Sequence, residues 1–232
     1  MILKRVKVNT PLGHPTNCYI VFDEDTKETM VIDPGGEPEK IIEMLNVLGG
    51  KLKYIYLTHC HGDHIAGVEK LKQECGGKIL IHRSDAEGLE NEDISLTAYI
   101  GLSNIELETD SRVVDEDLIH VGKIKFKVMH TPGHTQGGTC LYCEEEKLIF
   151  SGDTIFKGTW GRTDLPTGSL INIMNSITKK ILLLPDETII YPGHRRNDNN
   201  KTRKTNISAI ITENRIKNLI YCKIYVNVVL YM

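Results

Sequence analysis

The sequence has no apolar run that approaches the roughly 18 residues a membrane-crossing helix needs. Its last stretch, 221–232, is short and interrupted by Lys223 and Asn227. It also lacks a strong charge of either sign. With 28 Lys and Arg against 31 Asp and Glu, the formal charge is -3, which argues against a dedicated nucleic-acid surface and leaves a small, roughly neutral molecule as the expected partner. Cysteine is sparse: Cys18, Cys60, Cys75, Cys140, Cys143 and Cys222 are too few for a disulfide scaffold in 232 residues and suit a reducing compartment. Cys140 and Cys143 have zinc-type spacing, but no second pair accompanies them and the segment reads as a strand, so buried free thiols are expected. A signal peptide is missing as well. Met1 to Val8 alternates apolar and basic positions and reads as a first strand, so cytoplasmic residence with no membrane partner is the expectation.

What remains is an ordinary globular composition, 40% hydrophobic and 25% charged, in a chain long enough to bury a large core. Strands are predicted near 2–8, 18–23 and 28–33, the third ending in the turn Asp33-Pro34-Gly35-Gly36. Ile41, Ile42, Leu45 and Leu48 then fall at helical spacing before Gly49-Gly50, which predicts a helix over 38–48. A strand at 54–57, a helix running to Gly76-Gly77 and a strand at 78–81 follow. Residues 84–112 show weak periodicity and read as a lid or an irregular helical insertion. Beyond Leu118 the pattern is β: an alternating strand at 123–129, a hairpin of 138–143 with 147–150, a helix over 169–183 and a strand at 188–191. No short repeat or low-complexity linker divides the chain, so one α/β sandwich domain is the economical reading.

The chemistry is concentrated in Thr58-His59-Cys60-His61-Gly62-Asp63-His64, directly after an apolar strand. Three imidazoles and a carboxylate that close together compete for partners unless a shared cation organises them, and a divalent metal does so. Three further candidate ligands, His134, Asp153 and His194, each follow a predicted strand and a glycine that lets the chain turn across the sheet end. Five histidines and two aspartates are enough for two adjacent metals and excessive for one. Two dications sharing a water leave hydroxide available at neutral pH and polarise a carbonyl, so hydrolysis is the natural consequence. Asp33 and Thr58 are expected to support the ligands by hydrogen bonding. His14, His82, His120 and His130 lie outside the pattern and are expected on the surface or in satisfied polar roles.

The His-x-His-x-Asp-His motif, followed by single His, Asp and His ligands, resembles the metallo-β-lactamase superfamily, and within it the small glyoxalase II-like hydrolases. The likeness runs from Asn17-Cys18-Tyr19 through Val31-Ile32-Asp33-Pro34-Gly35 to His194. It implies a four-layer αββα sandwich with the site at the sheet edges. It further implies that His59, His61 and His134 hold one metal, that Asp63, His64 and His194 hold the other, and that Asp153 bridges them, with Asp63 and Asp153 taking part in catalysis. Zinc is the implied metal, with iron or manganese as alternatives. The implied substrate is a small thioester or ester attacked by the bridging hydroxide. A mononuclear iron sulfur dioxygenase and an inactive scaffold that keeps its metal site are the competing functions. Asp153 stands where several β-lactamases carry cysteine, which disfavours antibiotic hydrolysis, and His61 stands where flavin-linked diiron oxygen reductases carry an acid. Gly161-Arg162-Thr163-Asp164 is similar to a stretch of glyoxalase II-like enzymes and sulfur dioxygenases, and Arg162 with Asp164 is expected to form a structural ion pair more than a substrate contact.

Three departures qualify the resemblance. Gln136 replaces a proline common after the His-Thr pair, a change expected to affect loop stiffness more than chemistry. The helical C-terminal domain of full glyoxalase II enzymes is missing from this sequence, so a dedicated glutathione thioester is not expected. The third departure is compositional. After His194, 20 of the 38 residues are Asn, Ile, Lys or Tyr, and glycine and proline vanish. Residues 195–205 can be encoded so that reading one base later restores the family's Gly-x-x-Thr-Thr-Ile-x-x-Glu-Lys pattern. The expected organisation is therefore a hydrolase domain over 1–194 and an atypical tail over 195–232, read as the product of a one-base shift in frame with a lineage-specific tail as the alternative.

Overall fold

Alternation of apolar side chains with both strand faces covered sets the architecture. In the second strand Tyr19 and Val21 face one apolar layer while Cys18 and Ile20 face another, and all four are buried. A strand buried on both faces belongs in the middle of a layered α/β structure. In the computed structural model, which describes residues 1–102 and 107–194 together with the backbone at 205–206, two six-stranded sheets pack face to face. The first holds β1 (Ile2–Asn9), β2 (Pro15–Phe22), β3 (Glu28–Ile32), β4 (Lys51–Tyr56), β5 (Lys78–His82) and β6 (Ser111–Val113) in that order. The second is ordered β14 (Thr205–Asn206), β13 (Ile189–Pro192), β10 (Leu148–Gly152), β9 (Thr139–Cys143), β8 (Ile124–His130) and β7 (Leu118–Val121). A separate small hairpin pairs β11 (Ile155–Phe156) with β12 (Thr159–Trp160).

Three apolar layers separate four structural ones. Tyr19, Met30, Ile32 and Tyr56 of the first sheet meet Phe126, Val128, Leu141 and Phe150 of the second. Helices α1 (Pro38–Leu48) and α3 (Val68–Cys75) cover the first sheet's outer face through Ile41, Leu45, Val68 and Leu71. Helix α5 (Leu170–Lys179) covers the second sheet through Ile173 and Ile177. This is the αββα sandwich that the resemblance implies.

Local chemistry explains most boundaries. Helix α1 opens with Pro38 and closes at Gly49, whose φ of 62° lets Gly50 N–H reach back to Leu45 O at 3.0 Å. The helix expected over 169–183 is interrupted at Lys180 (φ -127°, ψ -60°), and a 3₁₀ turn, Ile181–Leu183, then buries Ile181 against the second sheet. Strand β4 starts at Lys51, earlier than expected, because the polar Lys51 and Lys53 hide its register; Lys53 Nζ pairs with Glu28 at 2.7 Å on the neighbouring β3. The weakly periodic middle becomes single turns, Ala86–Leu89, α4 (Glu92–Ser95) and Thr97–Ile100, with residues 103–106 outside the described set. Apart from the backbone at 205–206, the tail expected to be frameshifted also lies outside the described residues.

Candidate metal centre

Every sequence-predicted ligand falls where a strand gives out along one rim of the sandwich. His59 and His61 lie on the loop after β4, and Asp63 and His64 on the single turn α2 (Gly62–Ile65). His134 lies between β8 and β9, Asp153 directly follows β10, and His194 follows β13 after Gly193. The seven side chains converge. Potential ligand atoms of His59, His61 and His134 lie within 4.8 Å of one another, as do those of His59, His64 and Asp153 and those of Asp63, His64 and His194. Asp153 stands between the two trios, with Oδ2 3.6 Å from His134 Nε2 and 3.5 Å from His194 Nε2, and Oδ1 3.4 Å from His64 Nε2.

The imidazoles are aimed by groups behind them. His134 Nδ1 lies 2.8 Å from the Arg162 carbonyl, His194 Nδ1 2.7 Å from the Pro15 carbonyl, and His64 Nδ1 2.9 Å from Asp33 Oδ2. The two carbonyls place a proton on Nδ1 of His134 and of His194, the Asp33 carboxylate stands behind His64 Nδ1, and Nε2 of each ring faces inward. Asp33 also accepts from Thr58 N–H and Thr58 Oγ1, both at 2.8 Å, and Thr58 Oγ1 touches His59 Nδ1 at 3.1 Å. The expected supporting role of Asp33 and Thr58 is therefore what the contacts describe.

The inward atoms fit a cation. His64 Nε2 and His194 Nε2 face each other at 3.2 Å, close enough for one cation to be shared between them. His59 Nε2 and Asp153 Oδ1 are buried without a hydrogen-bond partner. Burial, and then the adjacent imidazoles, hold His59 well below its ordinary range, and burial with His134 brings His61 down to about 3, so both present lone pairs. In the second trio burial also disfavours charge, but carboxylates outweigh it. Asp33, Asp153 and Asp63 hold His64 well above its usual value, and Asp153 with Asp63 brings His194 up to about 9. Burial raises Asp63 and Asp153, yet His64 and His194 bring Asp63 to about 2 and hold Asp153 well below its range. Nitrogen and carboxylate donors in this number suit zinc, iron or manganese.

Glycines admit this crowding for two different reasons. Gly133 and Gly152 have φ of 138° and 45°, conformations that other residues rarely adopt. Gly193 has no such φ; a Cβ there would lie 2.4 Å from Asp153 Oδ1 and 2.6 Å from His64 Cε1. We therefore expect Gly193→Ala to weaken metal retention by at least about tenfold, the low end of what disturbing ligand support costs. Metal content after dialysis against a chelator checks this, and wild-type retention would refute it.

Residues outside the predicted set also matter. The carbonyls of Arg162 and Pro15 carry no signal in side-chain identity, and the buried Asp85 gave none in spacing. Arg162 forks onto Asp164, Nε to Oδ1 at 2.8 Å and Nη2 to Oδ2 at 2.7 Å, as a largely exposed pair that braces the loop carrying the Arg162 carbonyl. Cys140 and Cys143 are buried free thiols, and neither joins a metal-ligand group among the described residues. His82 and His130 stack on each other, 4.0 Å apart, away from the seven.

The sequence profile of the metallo-beta-lactamase superfamily matches residues 12–194, a span that contains all seven converging side chains. The chain belongs to this superfamily. Its relatives in the superfamily include the hydroxyacylglutathione hydrolase GloC of Haemophilus influenzae, 35% identical over 180 residues that cover 77% of this chain and 84% of that one. Among solved structures, the B3 metallo-beta-lactamase BLEG-1 superposes with a TM-score of 0.77 at 31% identity, covering 90% of this chain and 96% of that one. TTHA1623 in a di-iron-bound form gives 0.75 at 31% identity, with 90% and 98% covered. ETHE1 from Myxococcus xanthus gives 0.73 at 27% identity, with 92% and 83% covered. Superfamily membership and the converging histidines and aspartates make this a metal-binding site of the hydrolase type.

Proposed function

We propose that the protein hydrolyses a small thioester or ester with two divalent ions, zinc being the expected metal and iron or manganese the alternatives. His59, His61 and His134 would hold one ion, Asp63, His64 and His194 the other, and Asp153 both. Such a pair supplies hydroxide at neutral pH and polarises the substrate carbonyl. The chain's own part is orientation and charge. Arg162, Pro15 and Asp33 stand behind His134, His194 and His64 and turn Nε2 of each inward. The ionised Asp63 and Asp153 offset the positive charge gathered there, and Phe156, 6.3 Å from the His194 ring, sets an aromatic face beside the site.

The observation that carries the reading is the place of Asp153, within 3.6 Å of imidazoles from both trios. A carboxylate there resembles the hydrolase branch, and the likeness to GloC supports the same neighbourhood. The hydrolase domain would be 1–194, with 195–232 an atypical tail whose residues 205–206 pair with β13 at the edge of the second sheet. Cytoplasmic residence accompanies this reading, supported by five cysteines that stay unpaired among the described residues.

Protein carrying two metal equivalents is expected to turn over a generic thioester at least about a hundredfold more efficiently than a β-lactam, a discrimination that rests on transition-state contacts. Dissolved oxygen should stay constant during that reaction. Oxygen uptake with a persulfide and no thioester cleavage would move the protein to the sulfur dioxygenase class. Full metal loading without turnover of any ester or thioester would leave a scaffold.

A further inference from the structure

We propose that Asp85, which touches no candidate ligand, is the positioning residue of the first metal trio alone, fixing both loops that carry His59, His61 and His134. The inference rests on the dinuclear reading above and adds to it a selective control of one of the two positions.

Asp85 lies just past β5 and is 1% exposed. Its backbone is fixed on both sides: its N–H donates to His82 O at 2.9 Å and its carbonyl accepts from Gly88 N–H at 3.0 Å. The carboxylate is thus held in place before it meets the site. Oδ2 accepts from Cys60 N–H at 3.2 Å and from Thr135 Oγ1 at 2.6 Å, and Oδ1 accepts from Gly137 N–H at 2.6 Å. Cys60 is the residue between His59 and His61, so the bond to its peptide orients the backbone from which both imidazoles project. Thr135 directly follows His134, and Gly137 closes the same loop. One buried carboxylate therefore joins two loops separated by more than seventy residues, and the three ligands of the first trio all lie on those loops.

The approach is specific. A Cβ on Gly137 would lie 2.5 Å from Asp85 N and 2.6 Å from Asp85 Oδ1, so a glycine is required for the loop to reach the carboxylate. All three partners are donors, so the site needs an acceptor on both oxygens, and an amide in this place would turn an N–H toward a donor. The second trio is supported elsewhere. His64 leans on Asp33 and His194 on the Pro15 carbonyl, and none of the contacts of Asp85 reaches Asp63, His64 or His194. Asp33 reaches the first trio only through Thr58 and His59.

The experiment is a zinc-release titration of the full chain with a chromophoric chelator, together with thermal melting of the metal-free protein. Wild-type protein should release two zinc ions in two steps, and His134→Ala and His194→Ala assign them, each shifting the step of its own trio. Asp85→Asn should shift only the His134 step, by about 10–100-fold, the range for removing a group that orients ligands. The other step should move by less than about threefold. Thr135→Val, which removes one of the three bonds and leaves Asp85 in place, should shift the same step by a smaller factor, and it decides the matter if Asp85→Asn does not fold. Equal weakening of both steps, or none, in the variant that folds overturns the proposal. A wild-type protein that binds fewer than two zinc ions overturns the dinuclear reading instead.

Discussion

Asp153→Ala is expected to lower hydrolysis by more than about 100-fold, since even groups that only orient metal ligands are worth 10–100-fold. It should also lower the retained metal from two equivalents toward one or fewer, because no other carboxylate lies within reach of both trios: Asp63 is grouped only with His64 and His194 among the described residues. The sheets should survive the change. Asp153 sits past the end of β10, contributes nothing to the apolar layers, and carries a buried oxygen without a hydrogen-bond partner. The metal-free melting temperature should therefore match that of wild type within a few degrees, while the extra stability gained on adding metal shrinks by mass action. Metal content, turnover and melting measured on the same preparation test these statements together. Full activity in the variant, or in wild-type protein stripped of metal, would defeat the proposed mechanism.

Phe150→Ala should have the largest effect on stability. Phe150 is fully buried between the sheets, with ring centres of Tyr19, Tyr191 and Phe126 at 5.1, 5.5 and 6.1 Å. Emptying such a position costs about 3–5 kcal/mol through lost burial and the cavity left behind. In a chain of this size that lowers the melting temperature by roughly 6–20 °C. Phe150 also lies on β10, three residues before Asp153 and two before the strand ends, so the metal-dependent part of the melt should fall with it. A shift under about 3 °C would show that the neighbouring rings close over the gap.

The sequence made the metal site more legible than the scaffold beneath it. Seven candidate ligands could be picked out because imidazoles and carboxylates beside glycines at strand ends are costly to keep without a shared cation, and all seven converge. Asp33 and Thr58 were legible for a related reason, being polar residues at the ends of apolar runs. Asp85 was not, since its role depends on donors from loops far away in sequence. The two backbone carbonyls, from Arg162 and Pro15, were invisible in principle, because every residue has one. In the fold, helix α1 was readable from its apolar spacing and its glycine stop, whereas the start of β4 was hidden by lysines that pair across the sheet surface. The break at Lys180 arises from packing of Ile181 against the second sheet, which periodicity along one segment does not encode. Gly193 was noticed for the wrong reason: its neighbours, not its φ, exclude a side chain.

The clasp on the last ligand has a consequence for how the protein is made. Asn17 N–H donates to Gly193 O at 2.8 Å, Asn17 Nδ2 and Tyr19 Oη donate to Pro192 O at 2.9 and 2.7 Å, and His194 itself leans on Pro15. His194 is thus seated on β2, a strand made before any of the candidate ligands, while the histidine is made after the other six. Joining them closes a loop of more than 170 residues, an entropic cost that nothing repays until both sheets have docked. The trio of Asp63, His64 and His194 therefore cannot be completed until residue 194 has emerged. During translation His59, His61 and His134 can meet first, so a metal ion captured early would enter a half-built site, and the second would arrive only after translation has passed residue 194 and the fold has closed.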